Sequence, residues 1–117
     1  GGYMFRGDGS RVEWDTETYR VDAQAEYLLD YLNHVSADRP FFIFASFLEP
    51  HHQNDRSRFE GPHGSAQLWS GHDVPGDLEH TTGDWRQNYP DYLGCCNSLD
   101  IALGKVMTLL SERGIAE

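Results

Sequence analysis

Arg39-Pro40-Phe41-Phe42-Ile43-Phe44-Ala45-Ser46-Phe47-Leu48-Glu49-Pro50-His51-His52-Gln53-Asn54-Asp55 is an apolar run that stops abruptly in a polar one. A short, uninterrupted apolar run of this kind reads as a β-strand at residues 41–47, buried on both faces as the strands of parallel sheets are. In open α/β sheets, ligands bind in the crevice beyond the carboxyl ends of the strands. Two histidines, two side-chain amides and a carboxylate therefore follow the strand at the place where such a protein keeps its chemistry.

Upstream, Val21, Ala25, Leu28, Leu29 and Leu32 recur at helical spacing, while Asp22, Glu26, Asp30 and Asn33 lie elsewhere. This predicts a helix over residues 21–34, with Asp22 in the first turn facing the positive end of the helix dipole. Ser36-Ala37-Asp38-Arg39-Pro40 ends it, because a proline disfavours helical geometry in the residue before it. Helix, short turn and strand make half of an α/β unit. Residues 1–20 are Gly-rich and polar and read as a loop with a short hairpin about Gly7-Asp8-Gly9.

Downstream, residues 51–88 contain Gly61-Pro62, Gly64, Gly71, Pro75-Gly76 and Gly83, all turn formers. Loops of this length inside a domain are usually functional or disordered. Trp69 and Trp85 favour an ordered, functional one. Residues 89–113 read as a second helix with an apolar stripe of Tyr92, Cys95 or Cys96, Leu99, Leu103, Val106 and Leu110. Lys105 and Arg113 lie towards its C-terminal end, and Gly114 suits the stop position.

One parallel-type strand needs neighbours on both edges, and nothing else in the chain reads as one. The chain also opens Gly-Gly-Tyr without a methionine and trails off at Ile115-Ala116-Glu117. The expectation is that residues 1–117 are an internal part of a larger domain, truncated at both ends.

The 117 residues suit one small domain, at about 100–200 residues per domain. Hydrophobic content of 38% and aromatic content of 13% favour a packed core over disorder. The net charge is −10, and the 9 Lys and Arg form no basic run, which argues against a nucleic-acid surface. A few local Arg or His residues still suffice for a small anionic substrate. Cys95 and Cys96 are adjacent, and neighbouring cysteines on one helix point in different directions. Neither a disulfide framework nor a CxxC knuckle is present. No signal peptide or membrane-length apolar run is seen.

His51 is the first candidate for chemistry. It follows a proline at a strand end, and an imidazole there can donate a proton to a leaving oxygen or hydrogen-bond an oxyanion. A solvated loop histidine is the competing reading. His52, Gln53, Asn54 and Asp55 pair donors with acceptors and suit hydroxyl-rich ligands, although Asn54 and Asp55 equally suit local turn hydrogen bonds. Metal ligation is a third reading of the same residues, and successive histidines lack the usual zinc spacing. Arg56, Arg58 and Arg86 can clamp a sulfate, phosphate or carboxylate, or simply pair with the chain's many acids. Trp69 and Trp85 can stack on a sugar ring or pin a loop. Arg6-Gly7-Asp8 matches an adhesion tripeptide that also occurs by chance, and Cys95-Cys96 is a reactive thiol pair or small core filler.

Tyr19-Arg20-Val21-Asp22-Ala23, the run from Arg39 to Phe47, Glu49-Pro50-His51-His52-Gln53-Asn54-Asp55, and Asp91-Tyr92-Leu93-Gly94-Cys95-Cys96-Asn97-Ser98-Leu99-Asp100 with Gly104 together resemble the middle of a sulfatase. Sulfatases belong to the alkaline phosphatase superfamily, and the resemblance covers the chain from about residue 19. It implies an α/β fold, here a piece of an alkaline-phosphatase-like sandwich in the order helix, buried strand, long loop, helix. It implies hydrolysis of sulfate esters of a small molecule or, given the polar loop, a glycan, by a formylglycine hydrate with a divalent cation, usually Ca2+. His51 matches the family histidine that contacts the sulfate and the leaving-group oxygen. His52, Gln53 and Asn54 then fall in the substrate loop. A periplasmic or secreted location is the family's habit.

This chain departs from the family in carrying Pro50-His51-His52-Gln53 where many members have Pro-His-x-Pro. It also lacks the Cys-x-Pro-Ser-Arg nucleophile motif, its Ser version, and the acidic and Asp-His/Asn-Gly metal segments. The resemblance places these before Gly1 and after Glu117, so no metal ligand is assigned within the chain, and the polypeptide alone is expected to be inactive. The competing functions are a phosphodiesterase or phosphonate hydrolase of the same superfamily, and a non-catalytic glycan-binding module using Trp69, Trp85 and Arg6-Gly7-Asp8.

Overall fold

A computed structural model describes residues 2–53 and 56–116. The elements are β1 (Gly2–Phe5), β2 (Arg11–Trp14), α1 (Arg20–His34), α2 (Ser65–Leu68) and α3 (Trp85–Glu112). The chain divides into two compact units, Gly1–Phe47 with Ile101–Glu117, and Leu48–Asp100.

The first unit begins with the expected hairpin. β1 and β2 pair antiparallel, with Tyr3 opposite Glu13 and Met4 opposite Val12. The Arg6 N–H donates to the Ser10 carbonyl at 2.8 Å, and Asp8 Oδ1 accepts the Ser10 N–H at 2.8 Å. Asp15 Oδ1 then accepts the Thr18 N–H at 2.8 Å and the Thr18 hydroxyl at 2.7 Å, just ahead of α1.

α1 buries Val21, Ala25 and Leu32, the face its spacing predicts, and Asp22 lies in its first turn. The last carbonyls of a helix lack intrahelical donors. Here the Arg113 guanidinium supplies them, donating to the Leu32 carbonyl and, at 2.7 Å, to the Val35 carbonyl. Its charge also sits at the negative end of the α1 dipole. Lys105 Nζ lies 3.4 Å from Glu26 Oε1 along the same pair of helices. α3 stops at Gly114, at φ 66°, with the Gly114 N–H bonded to the Ser111 carbonyl and the Ile115 N–H to that of Leu110, both at 3.0 Å. This is the paired-bond ending that favours glycine just past a helix.

Residues 41–47 depart from expectation. Among the described residues they pair with no strand, and Phe42 and Phe44 are 88% and 83% exposed. A strand's hydrogen bonds belong to its neighbours, and the two-stranded sheet β1–β2 pairs only with itself. The segment instead borders a groove of about 430 Å³ with Gln24, Tyr27, Leu28 and Tyr31 of α1. The chain is α/β in the coarse sense of helices with a small sheet. That sheet is the antiparallel hairpin and not the predicted buried strand.

In the second unit, the segment read as irregular contains the single turn α2. Ser65 opens it, 5% exposed, its hydroxyl donating to the Pro62 carbonyl at 2.6 Å. α3 begins at Trp85, four residues before the expected start. The Asp84 carbonyl accepts the N–H groups of Gln87 and Asn88 at 3.1 and 3.2 Å, which supports a first turn ahead of Pro90. The buried line of α3 is Cys95, Ser98 and Ala102, whereas Leu103 of the predicted stripe is 58% exposed. By length and composition alone, α3 is also long and apolar enough to cross a membrane. Core helices of soluble proteins meet the same criterion, and Asp100 and Lys105 lie within α3.

Candidate functional site

The polar residues that follow Pro50 lie in the unit Leu48–Asp100. The Glu49–Pro50 peptide is cis, and the His51 N–H donates to the Leu48 carbonyl at 3.0 Å. This closes a tight turn that buries Glu49 and leaves His51 exposed. An imidazole so placed is open to an approaching ligand.

His52 turns a different way. Its ring meets Phe59 edge-on at 5.2 Å, Phe59 meets Tyr92 of α3 edge-on at 5.5 Å, and Tyr92 stacks on Tyr89 at 6.1 Å. Edge-to-face pairs at these separations are favourable, so this ladder fixes the loop to α3. A hydrogen bond with the Cys96 side chain, with smaller help from burial, raises the Tyr92 phenol above its usual value of 10.

Gln53 is held by its backbone. Its N–H donates to the Arg58 carbonyl at 2.8 Å, and its carbonyl accepts the Arg56 N–H at 3.0 Å. Ser57 takes the left-handed φ of 52° that reverses the chain. Asn54 and Asp55, between them, lie outside the described residues.

Arg56 and Arg58 both bond Glu60, at 2.8–3.1 Å. Partial burial pushes the Glu60 carboxyl up, but hydrogen bonds from Arg56 and Arg58 and their charges more than offset this and hold it below 4.5. The Arg86 guanidinium lies 4.2 Å over the Trp85 ring, and the Trp85 indole N–H donates to the Thr81 carbonyl at 3.3 Å. Trp69 meets His72 edge-on at 5.4 Å. Ion pairing and stacking thus describe the arginines, and the tryptophans make local contacts within the long loop.

Sequence reasoning missed Phe59, Tyr92 as an anchor of the loop, and Glu60. Glu60 had a visible signal, since it lies four residues from Arg56 and two from Arg58. The aromatic ladder had none, because residues 52, 59 and 92 meet only in the folded chain.

Among the described residues, no group of three or more His, Cys, Asp or Glu is arranged to hold a metal ion. The calcium implied by the resemblance therefore does not fit on these side chains. Cys95 is buried and Cys96 half-buried in α3, and neither is in a disulfide. What the loop offers chemically is an exposed imidazole on a braced turn, followed by an amide and two guanidiniums. That set suits proton donation to, and hydrogen bonding of, an oxyanionic ligand.

No curated protein and no solved structure gives a significant match to the chain. The Sulfatase family model matches residues 5–117, a span that takes in α1, the His51 turn, the long loop and α3. With the match covering nearly the whole sequence, the chain belongs to the sulfatase family.

Proposed function

We propose that these residues are an internal part of a sulfatase catalytic domain that hydrolyses sulfate esters, chiefly of sulfated carbohydrates. The observation that carries this reading is the family match running through the exposed His51 turn. His51 donates a proton, or a hydrogen bond, to the oxygen that leaves as the sulfate ester breaks. His52, Gln53 and Asn54 form the recognition stretch beside it, with His52 held in place by Phe59. In the parent protein a formylglycine hydrate would supply the attacking oxygen and a divalent cation such as Ca2+ would stabilise negative charge, both held by residues outside this chain. A periplasmic or secreted location accompanies this reading.

Exposed apolar side chains support a larger domain. Phe42, Phe44, Leu103 and Met107 are all at least half exposed in one unit, and Leu68 is 73% exposed in the other. Side chains exposed to this degree are available for further protein to pack against.

The test compares sulfate and phosphate release from matched esters. The full-length protein is expected to release sulfate, and the 117-residue chain alone neither product. Preferred hydrolysis of a phosphodiester transfers the chain's role to phosphoryl chemistry. Metal-dependent sulfate release by the 117 residues alone contradicts the proposal that the nucleophile lies elsewhere.

A further inference from the structure

Gln53 and Arg58 bridge antiparallel, with the Gln53 N–H donating to the Arg58 carbonyl at 2.8 Å. In an antiparallel pairing the next residues outward also oppose each other, and here these are His52 and Phe59. Their rings meet edge-on at 5.2 Å. Phe59 in turn meets Tyr92 edge-on at 5.5 Å, and the Tyr92 phenol is hydrogen-bonded with the Cys96 side chain one turn further along α3. All three rings are half-buried. The contacts therefore run without a break from the residue after His51 to the longest helix of the chain.

His51 has an exposed side chain, so its placement depends on its backbone. On one side its N–H donates to the Leu48 carbonyl at 3.0 Å. On the other side the chain is tied down by the His52 ring. An imidazole turns about only two side-chain torsions, so a fixed backbone confines its ring nitrogens to a few positions. A proton donor must come within about 2.6–3.2 Å of the atom it serves, and a misplacement of about 1 Å costs on the order of 10²-fold in rate.

We propose that Phe59 and Tyr92 are positioning residues for His51, acting through the His52 ring. This rests on the catalytic reading of His51 and deepens it, because it extends the catalytic machinery from the turn to α3. The duty of Phe59 is then specific to proton donation. A donor matters most where the leaving oxygen is basic, as in a sugar sulfate, and little where it leaves unaided, as in a nitrophenyl sulfate. Loss of positioning therefore shows as a loss of rate with the poorer leaving group.

Steady-state hydrolysis of a sugar sulfate and of nitrophenyl sulfate by the full-length protein tests this. Phe59→Leu is expected to lower kcat for the sugar sulfate roughly three- to tenfold, the factor that one lost edge-to-face ring pair corresponds to, with KM little moved. Turnover of the nitrophenyl ester should hardly change. Phe59→Tyr keeps the ring and should keep the parental rates. In the His51→Ala background Phe59→Leu should lower the rate no further, as expected of residues that act as one unit. Should Phe59→Leu unfold the protein, Tyr92→Leu, one ring further from His52, decides by the same selective loss. An equal loss on both esters in a folded variant, or an undiminished effect of Phe59→Leu in the absence of His51, overturns the positioning role. His51→Ala alone separates the two claims. A loss there without leaving-group bias refutes the catalytic reading and the positioning role with it. A biased loss that the folded Phe59 variant does not share overturns the positioning role alone.

Discussion

Replacing His51 with alanine in the full-length protein should lower kcat for sulfate-ester hydrolysis by about 10²–10⁴-fold, the range that a positioned acid contributes. Thermal stability should barely move. His51 stands exposed on its turn, and the turn is closed by a backbone hydrogen bond to the Leu48 carbonyl that alanine preserves. Loss of the imidazole therefore removes chemistry without removing packing. The check is sulfate release under saturating substrate, alongside a melting curve. An unchanged kcat with a lowered Tm would reassign His51 to a structural role.

Gly94→Ala should destabilise the fold by about 1–3 kcal/mol, the usual effect of overpacking a filled interior. A Cβ at residue 94 would lie 2.3 Å from both Cβ and Oγ of Ser65 and 3.6 Å from Pro62 Cδ. Ser65 has little freedom to retreat, being 5% exposed and hydrogen-bonded to the Pro62 carbonyl. α2 would have to lift from α3 to make room. Chemical denaturation checks the loss. The Ser65→Gly change should recover part of it in the double variant, because it removes the atoms in conflict. Full additivity of the two changes would argue that no such contact exists.

The parts of the fold legible in the sequence are those set by local chemistry. α1 follows from Val21, Ala25 and Leu32 at helical spacing, the hairpin turn from Gly7-Asp8-Gly9, and the end of α3 from Gly114. Residues 41–47 show the limit of that logic. Their composition states a preference for a strand, but pairing is conferred by partners, and none flanks them among the described residues. The early start of α3 was hidden for a related reason. Pro90 points to a helix beginning beside it, whereas the Asp84 carbonyl secures one more turn upstream. α2 depends on the close approach of Gly61 and Gly94 to Ser65, which spans some thirty residues of sequence.

The site divides in the same way. The exposed turn that carries His51 was marked in the sequence by a proline and the end of an apolar run. That Arg56 and Arg58 share Glu60 could be read from spacing. The bracing of His52 by Phe59 and Tyr92 could not, since it arises from tertiary packing. His52 thus has a positional duty in addition to the recognition role proposed for it. Gln53 contributes backbone bonds to the turn.

The most direct measurement is a crystal structure of the full-length protein with inorganic sulfate or an uncleaved sulfate ester at its catalytic centre. A ring nitrogen of His51 should lie within about 2.6–3.2 Å of an oxygen on the sulfate or of the bridging ester oxygen, the reach of a proton donor. A sulfate bound at the centre with His51 facing solvent, beyond any hydrogen bond to it, would contradict the role assigned to this turn.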